Sequence, residues 1–245
     1  MLAFENVTRV FHNGTGVFNL EFQLQPGRIV ALIGLNGAGK TTLMRLALGM
    51  LRPQHGTVRL LGHPVDAIRP EAWCRVGTLI EAPAGYPELT ARENLLISCL
   101  LHGADTSLLR DSLRVWELES VAERRFRHLS QGTRQRVGLA SALQHDPGLV
   151  VLDEPGSSLD PASVILLRDQ LTRRARQGAA VLVSSHHLDE VSRIADRVLL
   201  MNAGRLIGEL DTTGSDLERR FFEHIRADDE RRREKRKHDD RGRTC

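Results

Sequence analysis

Lys40 and Thr41 close the run Gly34-Leu-Asn36-Gly37-Ala38-Gly39-Lys40-Thr41-Thr42, a spacing suited to binding phosphate. The glycines let successive backbone amides turn inward around an anion, the lysine adds a mobile point charge, and the adjacent hydroxyl suits a hard divalent cation. The continuously apolar stretch 29–33 precedes the run, and a helical pattern through Leu43, Leu46 and Ala47 follows it to Gly49. A helix starting there aims its free amides and the positive end of its dipole at the same anion. The expected phosphate-binding set is therefore Gly34, Asn36, Gly37, Ala38, Gly39, Lys40, Thr41 and Thr42. Thr41 is also the first expected ligand of Mg2+.

A second signal is Leu149-Val-Val-Leu152-Asp153-Glu154, in which four apolar residues deliver two acids to the end of a buried strand. Asp153 suits Mg2+ binding through water, and Glu154 suits polarising an attacking water. Downstream of a phosphate loop, such a strand end marks a P-loop nucleotide hydrolase. That class still spans kinases, GTPases, helicases and transport ATPases. Ser130, Gln131 and Gly132 narrow it, because they open a helix reading Arg136, Val137, Leu139, Ala140, Leu143. A helix start with small residues gives an anion a clear approach, although an ordinary serine cap reads the same way.

The elements that must position these residues alternate along the chain. Phe18, Leu20, Phe22 and Leu24 recur at period two, as in a half-buried antiparallel strand that ends at Pro26-Gly27. From about residue 88 to 145 the pattern is helical, and Thr90-Ala-Arg-Glu93 has the form of a capping box. Strand character returns at 149–152, a helix is expected over 161–176, a strand over 180–184, and a hairpin around Asn202-Ala203-Gly204. Strands alternating with helices predict an α/β fold with a mainly parallel sheet. An N-terminal antiparallel β part and an inserted α-helical subdomain complete it. The expected domain is 1–225, with core 1–87 and 146–225 and a helical subdomain over about 88–145.

Bulk properties exclude several classes. The 245 residues are 41% hydrophobic and 27% charged, and the net charge is only +3. Residues 226–245 hold nine basic and six acidic residues, so the net charge resides there and the body is neutral. With almost no apolar residue, that stretch is expected to be a flexible charged tail, partly helical or disordered. Cys74, Cys99 and Cys245 show neither metal-ligand spacing nor an even-numbered framework, which points to a reducing compartment. No signal-peptide pattern opens the chain, and no apolar run reaches the roughly 20 residues of a membrane span. Action at a membrane then requires another chain.

In this order the motifs resemble those of the ATP-binding cassette (ABC) ATPases, over about residues 2 to 212. Leu129-Ser130-Gln131-Gly132 is similar to the family's signature, Pro155 to Asp160 to its D-loop, and Ser184-Ser185-His186 to its H-loop. The resemblance implies a RecA-like core that binds ATP and Mg2+ and hydrolyses ATP. Lys40, Glu154 and His186 are then the catalytic residues. Phe11 falls where the family stacks an aromatic ring on adenine. Ser130, Gln131 and Gly132 of one copy would complete the ATP site of a second, and Asp160 would communicate across that interface or cap the following helix. The partners implied are a second ATPase subunit, with a homodimer expected, and a separate transmembrane permease. The chain would then lie in the cytoplasm against the inner face of the membrane, with no nucleic-acid partner expected.

Glu81 departs from the family pattern, which places a glutamine at the joint between core and helical insertion. The stretch Ile80-Glu81-Ala-Pro83, with Tyr86 to Leu95 after it, is similar to the ATPases of lantibiotic-immunity and bacitracin-resistance exporters. On that resemblance Glu81 is expected to reach Mg2+ directly or through water, the other possibility being a solvent-facing acid without a role. Export of a peptide antibiotic or drug follows as the expected task. An importer subunit, or a cassette ATPase acting on the ribosome or nucleic acid, are the alternatives. The latter proteins usually carry coiled-coil insertions or a second cassette, which are absent from these 245 residues.

Overall fold

The structure is a computed structural model that describes residues 1–188, 192–213 and 216–242. Two sheets organise it. The first is a four-stranded antiparallel sheet of order β2-β1-β4-β5, built from β1 (Leu2–Val10), β2 (Gly16–Leu24), β4 (His55–Leu60) and β5 (His63–Pro64). In β2 the predicted alternation holds from Leu20 on, with Leu20, Phe22 and Leu24 buried and Glu21 and Gln23 facing solvent, but before Asn19, at φ 49, it slips, so that Val17 rather than Phe18 is fully buried.

The second sheet has six strands in the order β10-β9-β3-β8-β7-β6. These are β3 (Ile29–Ile33), β6 (Val76–Leu79), β7 (Leu149–Leu152), β8 (Ala180–Ser185), β9 (Arg197–Asn202) and β10 (Arg205–Leu210). All its pairings are parallel except the β9–β10 hairpin at one edge. Every residue of β3, β7 and β8 is buried. That is why these strands read as unbroken apolar runs rather than alternating ones.

Helix α1 (Lys40–Ala47) follows β3, the short α2 (Pro70–Trp73) precedes β6, and α6 (Pro161–Arg176) connects β7 to β8. Between β6 and β7 lie α3 (Ala91–Leu101), α4 (Leu108–Val115) and α5 (Gln131–Leu143), the helical stretch anticipated over 88–145. Thr90 and Glu93 form the capping box at α3, each side chain bonded to the other's backbone amide. The insertion is not packed as a separate body. One apolar cluster runs from Ile33 and Leu152 in the sheet to Leu95, Trp116, Leu118 and Leu139 in the helices.

The C-terminal stretch is helical and anchored at its start. Helix α7 (Leu217–Gly242) crosses the anticipated boundary at residue 226 without a break. Phe221 and Ile225, four residues apart on one helix face, are buried in the apolar cluster. Asp228, one turn further, is also buried, because Asn202 at the end of β9 donates hydrogen bonds of 2.9 Å to both Asp228 and Asp229. Two apolar anchors and a polar clasp thus hold the start of a segment whose composition alone reads as solvated. Residues 243–245 of the expected tail lie outside the described residues.

Candidate functional site: a phosphate cleft at the strand ends

The site forms at the carboxyl ends of β3, β7 and β8, which lie side by side. Register sets its geometry. Leu152 pairs with Val183, so Asp153 and Ser184, the next residues, emerge as neighbours. Open α/β sheets bind ligands at this edge, where successive strand ends deliver loops into one crevice.

The loop after β3 forms a cradle of about 390 Å3, lined by Phe11, Thr15, Gly16, Asn36 to Thr42, Asp153 and Glu154. Gly39 caps α1 at φ 106, a left-handed backbone suited to glycine, and no side chain caps the helix. Its first-turn amides are thus left to an anion. Lys40 is buried, and its ammonium donates to the Gly34 carbonyl at 2.7 Å and lies 3.2 Å from Glu154 Oε1.

Asp153 is held by two hydroxyls, Thr41 Oγ1 at 2.6 Å and Ser184 Oγ at 2.5 Å. Ser184 Oγ also accepts from the Glu154 amide at 2.9 Å. Ser184 therefore aligns both acids, a role that sequence reasoning did not give it. The available signal was a hydroxyl residue at the end of an apolar strand. Glu154 adopts φ 48, an uncommon conformation for a residue other than glycine. Its Oε2 accepts from His186 through the backbone amide at 3.2 Å and pairs with Nδ1 at 2.7 Å. Burial raises the Glu154 pKa, but the His186 hydrogen bond and the Lys40 charge outweigh it and leave the net shift below the ordinary glutamate value. His187 stacks at a tilt on His186, their ring centroids 3.9 Å apart, and does not reach the carboxylate.

Other expected site residues lie apart. Ser130 caps its own helix, accepting from the Thr133 amide at 3.2 Å, and Ser130, Gln131 and Gly132 do not line the cradle. Gly132 packs so closely on the Ser158 carbonyl that a Cβ there would come within 2.7 Å. The buried Gln135 donates to the Pro155 carbonyl at 3.0 Å, tying α5 to the segment after the acids. Asp160 caps α6 through the Ser163 amide at 2.8 Å, and the Ser163 hydrogen bonds lower its pKa. Phe11, by contrast, lines the cradle, with the Arg9 guanidinium 5.6 Å from its ring centroid.

Glu81 lies outside the cradle. Its carboxylate pairs with Arg45 of α1 and is largely exposed. The cause is helical spacing. Arg45 stands one turn after Thr41, near enough to capture an acid leaving β6 before it reaches the cradle. Glu81 itself has φ 64.

Fold and site together define an α/β protein of the P-loop nucleotide-hydrolase class. A family model described as ABC transporter matches residues 17–157. The bacitracin transport ATP-binding protein BcrA of Enterococcus faecalis is 36% identical over 91% of this chain and 73% of its own length. A Nod factor export ATP-binding protein I from Cupriavidus metallidurans is 34% identical over 85% of this chain and 70% of its own. Among solved structures, an ATP-binding subunit of an ABC transporter aligns over 92% of this chain and 94% of its own, with TM-score 0.79 and 28% identity. A cassette solved as a dimer in a post-hydrolysis state with ADP and phosphate aligns over 87% of this chain and all of its own. Its TM-score is 0.80 at 22% identity, a likeness of fold. The chain belongs to the ABC transporter ATPase family and is its ATP-binding, ATP-hydrolysing subunit.

Proposed function

We propose that this subunit drives a separate membrane permease that exports a peptide antibiotic or drug, and that it works as a pair of copies joined through ATP at the cytoplasmic face of the membrane. The observation that carries the pairing is that Ser130 and Gly132 do not line their own chain's cradle. Head-to-tail pairing lets each copy's Ser130, Gln131 and Gly132 cover the γ-phosphate held by the other's Lys40. Among the described residues no helix is long and apolar enough to cross a membrane, so the permease must supply the path. The likeness to bacitracin and Nod factor export subunits supports export.

In this reading Phe11 stacks on adenine, the amides of residues 37 to 42 hold the phosphates, and Lys40 moves from Glu154 to the γ-phosphate. Freed of Lys40, Glu154 accepts a proton from water as the water oxygen bonds to phosphorus and the bond to the bridging oxygen of ADP breaks. His186 keeps Glu154 aimed at that water. Hard oxygens at Thr41 and Asp153 would hold Mg2+, which would supply positive charge against the phosphates. Glu81 would have to leave Arg45 before it could join them.

Co-expression with a candidate membrane permease, then ATP-dependent peptide uptake into inverted vesicles, where export runs inward, tests the reading. The expected result is ATP-dependent export lost with Lys40→Ala. Crosslinked pairs should appear in a Glu154→Gln form saturated with ATP. Only single subunits under that condition, with and without permease, would overturn it.

A further inference from the structure

The end of β9 supports the phosphate loop from below. A Cβ on Gly34 would come within 2.4 Å of the Met201 carbonyl, and one on Gly39 within 2.9 Å of the Met201 side chain. Three residues on, the Gly204 amide donates to the Ala38 carbonyl at 2.8 Å, and its own carbonyl accepts from the Phe18 amide at 2.8 Å. Gly204 sits at φ 78, pressed so closely on Gly16 that a Cβ would lie 2.1 Å from the Gly16 carbonyl. The β9–β10 turn is therefore the junction of the phosphate loop and the β1–β2 turn, two of the segments that line the nucleotide cradle.

Asn202 begins that turn, and its buried amide is fastened to α7 by Asp228 and Asp229. Both carboxylates are engaged through one nitrogen, so a single side chain joins the C-terminal helix to the junction. The same helix forms a wall of a second cleft of about 960 Å3, through Asp228, Arg231 and Arg232. That cleft shares Thr15, Gly16 and Gly37 with the nucleotide cradle.

We propose that the Asn202–Asp228/Asp229 clasp makes α7 a positioning element for the nucleotide site, holding the β9–β10 turn and through it the phosphate loop in the ATP-binding geometry. This rests on the reading of the cradle as the ATP site. Opening the clasp leaves the loop only part of the time in its binding form, and apparent affinity falls by that fraction. Loss of two hydrogen bonds of ordinary strength corresponds to a weakening of about fivefold to 160-fold.

The test is calorimetric ATP binding at 10 °C to the full chain, with melting temperature measured alongside. Asp228→Ala/Asp229→Ala is expected to weaken ATP binding at least about fivefold. Asp228→Asn/Asp229→Asn, whose carbonyls still accept from Asn202, is expected to restore most of the affinity. Turnover at saturating ATP is expected to stay within about twofold, so the effect falls on KM rather than kcat. ATP affinity unchanged in the alanine form, with only the melting temperature lowered, would overturn the proposal and leave the clasp a stabilising contact. If the double variant fails to fold, Asp229→Ala, at a partly buried carboxylate, is judged by the same criterion. Lys40→Ala is run in parallel: if it binds ATP as the native chain does, the cradle is not the ATP site, whatever the clasp variants show.

Discussion

His186 Nδ1 lies 2.7 Å from Glu154 Oε2, while the other oxygen of that carboxylate faces Lys40. The acid that must accept a proton is thus fixed in direction by one partner and charge-balanced by another, which makes it removable without disturbing the phosphate loop. Glu154→Gln is expected to cut ATP turnover at least about 100-fold, the scale of a lost general base, while ATP binding persists. A coupled phosphate-release assay and a binding titration on the same preparation check both halves.

His186→Ala removes the hydrogen bond that does most to hold the Glu154 pKa down. Lys40 alone then opposes burial, so the Glu154 pKa rises from its lowered position and the carboxylate becomes scarcer as pH falls. The acid limb of the pH–rate profile is expected to move to higher pH, with turnover falling at every pH because the aim of the base is also lost. A profile of unchanged shape would show that His186 does not set the protonation of Glu154.

What sequence could and could not reveal follows from the range of the interactions involved. Lys40, Thr41, Asp153 and Glu154 were legible because local spacing and one strand each determine them. The boundaries of β3, β7 and α6 were legible because burial on both faces, or a cap followed by proline, writes them into neighbouring residues. Ser184 as the bridge between the acids was not, because it depends on the β7–β8 register across 31 positions. Arg45 at Glu81 and Asn202 at Asp228 were hidden for the same reason, one partner being polar and unremarkable until the fold brings the other to it. The docking of the tail's first turn was not legible, because Asp228 is buried only through its contact with the distant Asn202.

The Arg45–Glu81 pair joins the phosphate-binding helix to the start of the insertion, yet both groups are substantially exposed, so its worth to stability is at most about 1 kcal/mol. Arg45→Ala is accordingly expected to change the melting temperature little. If Glu81 acts at the metal after release, the same variant frees it and lowers the Mg2+ concentration needed for half-maximal ATPase activity, whereas Glu81→Gln raises it. Equal Mg2+ dependence in native, Arg45→Ala and Glu81→Gln forms would show that the acid serves only as a surface partner.

His145 supplies a pH effect on stability away from the catalytic groups. It follows α5 and stacks on His102 just beyond the end of α3, ring centroids 3.8 Å apart and 16° from parallel. Burial, reinforced by His102, lowers its pKa to about 4. An unfolded histidine titrates near 6.5, so between about pH 6.5 and 4 the unfolded chain binds the proton that the folded chain refuses. Stability from this group is complete above pH 6.5, declines as pH falls through that window, and changes no further below about 4. With its partial exposure discounted, the loss between pH 7 and 5 is on the order of 1 kcal/mol. His145→Phe keeps a stacking ring without a titrating nitrogen, so its urea midpoint is expected to move less between those two pH values than that of the native chain. Equal movement in both would mean that other groups carry the acid sensitivity.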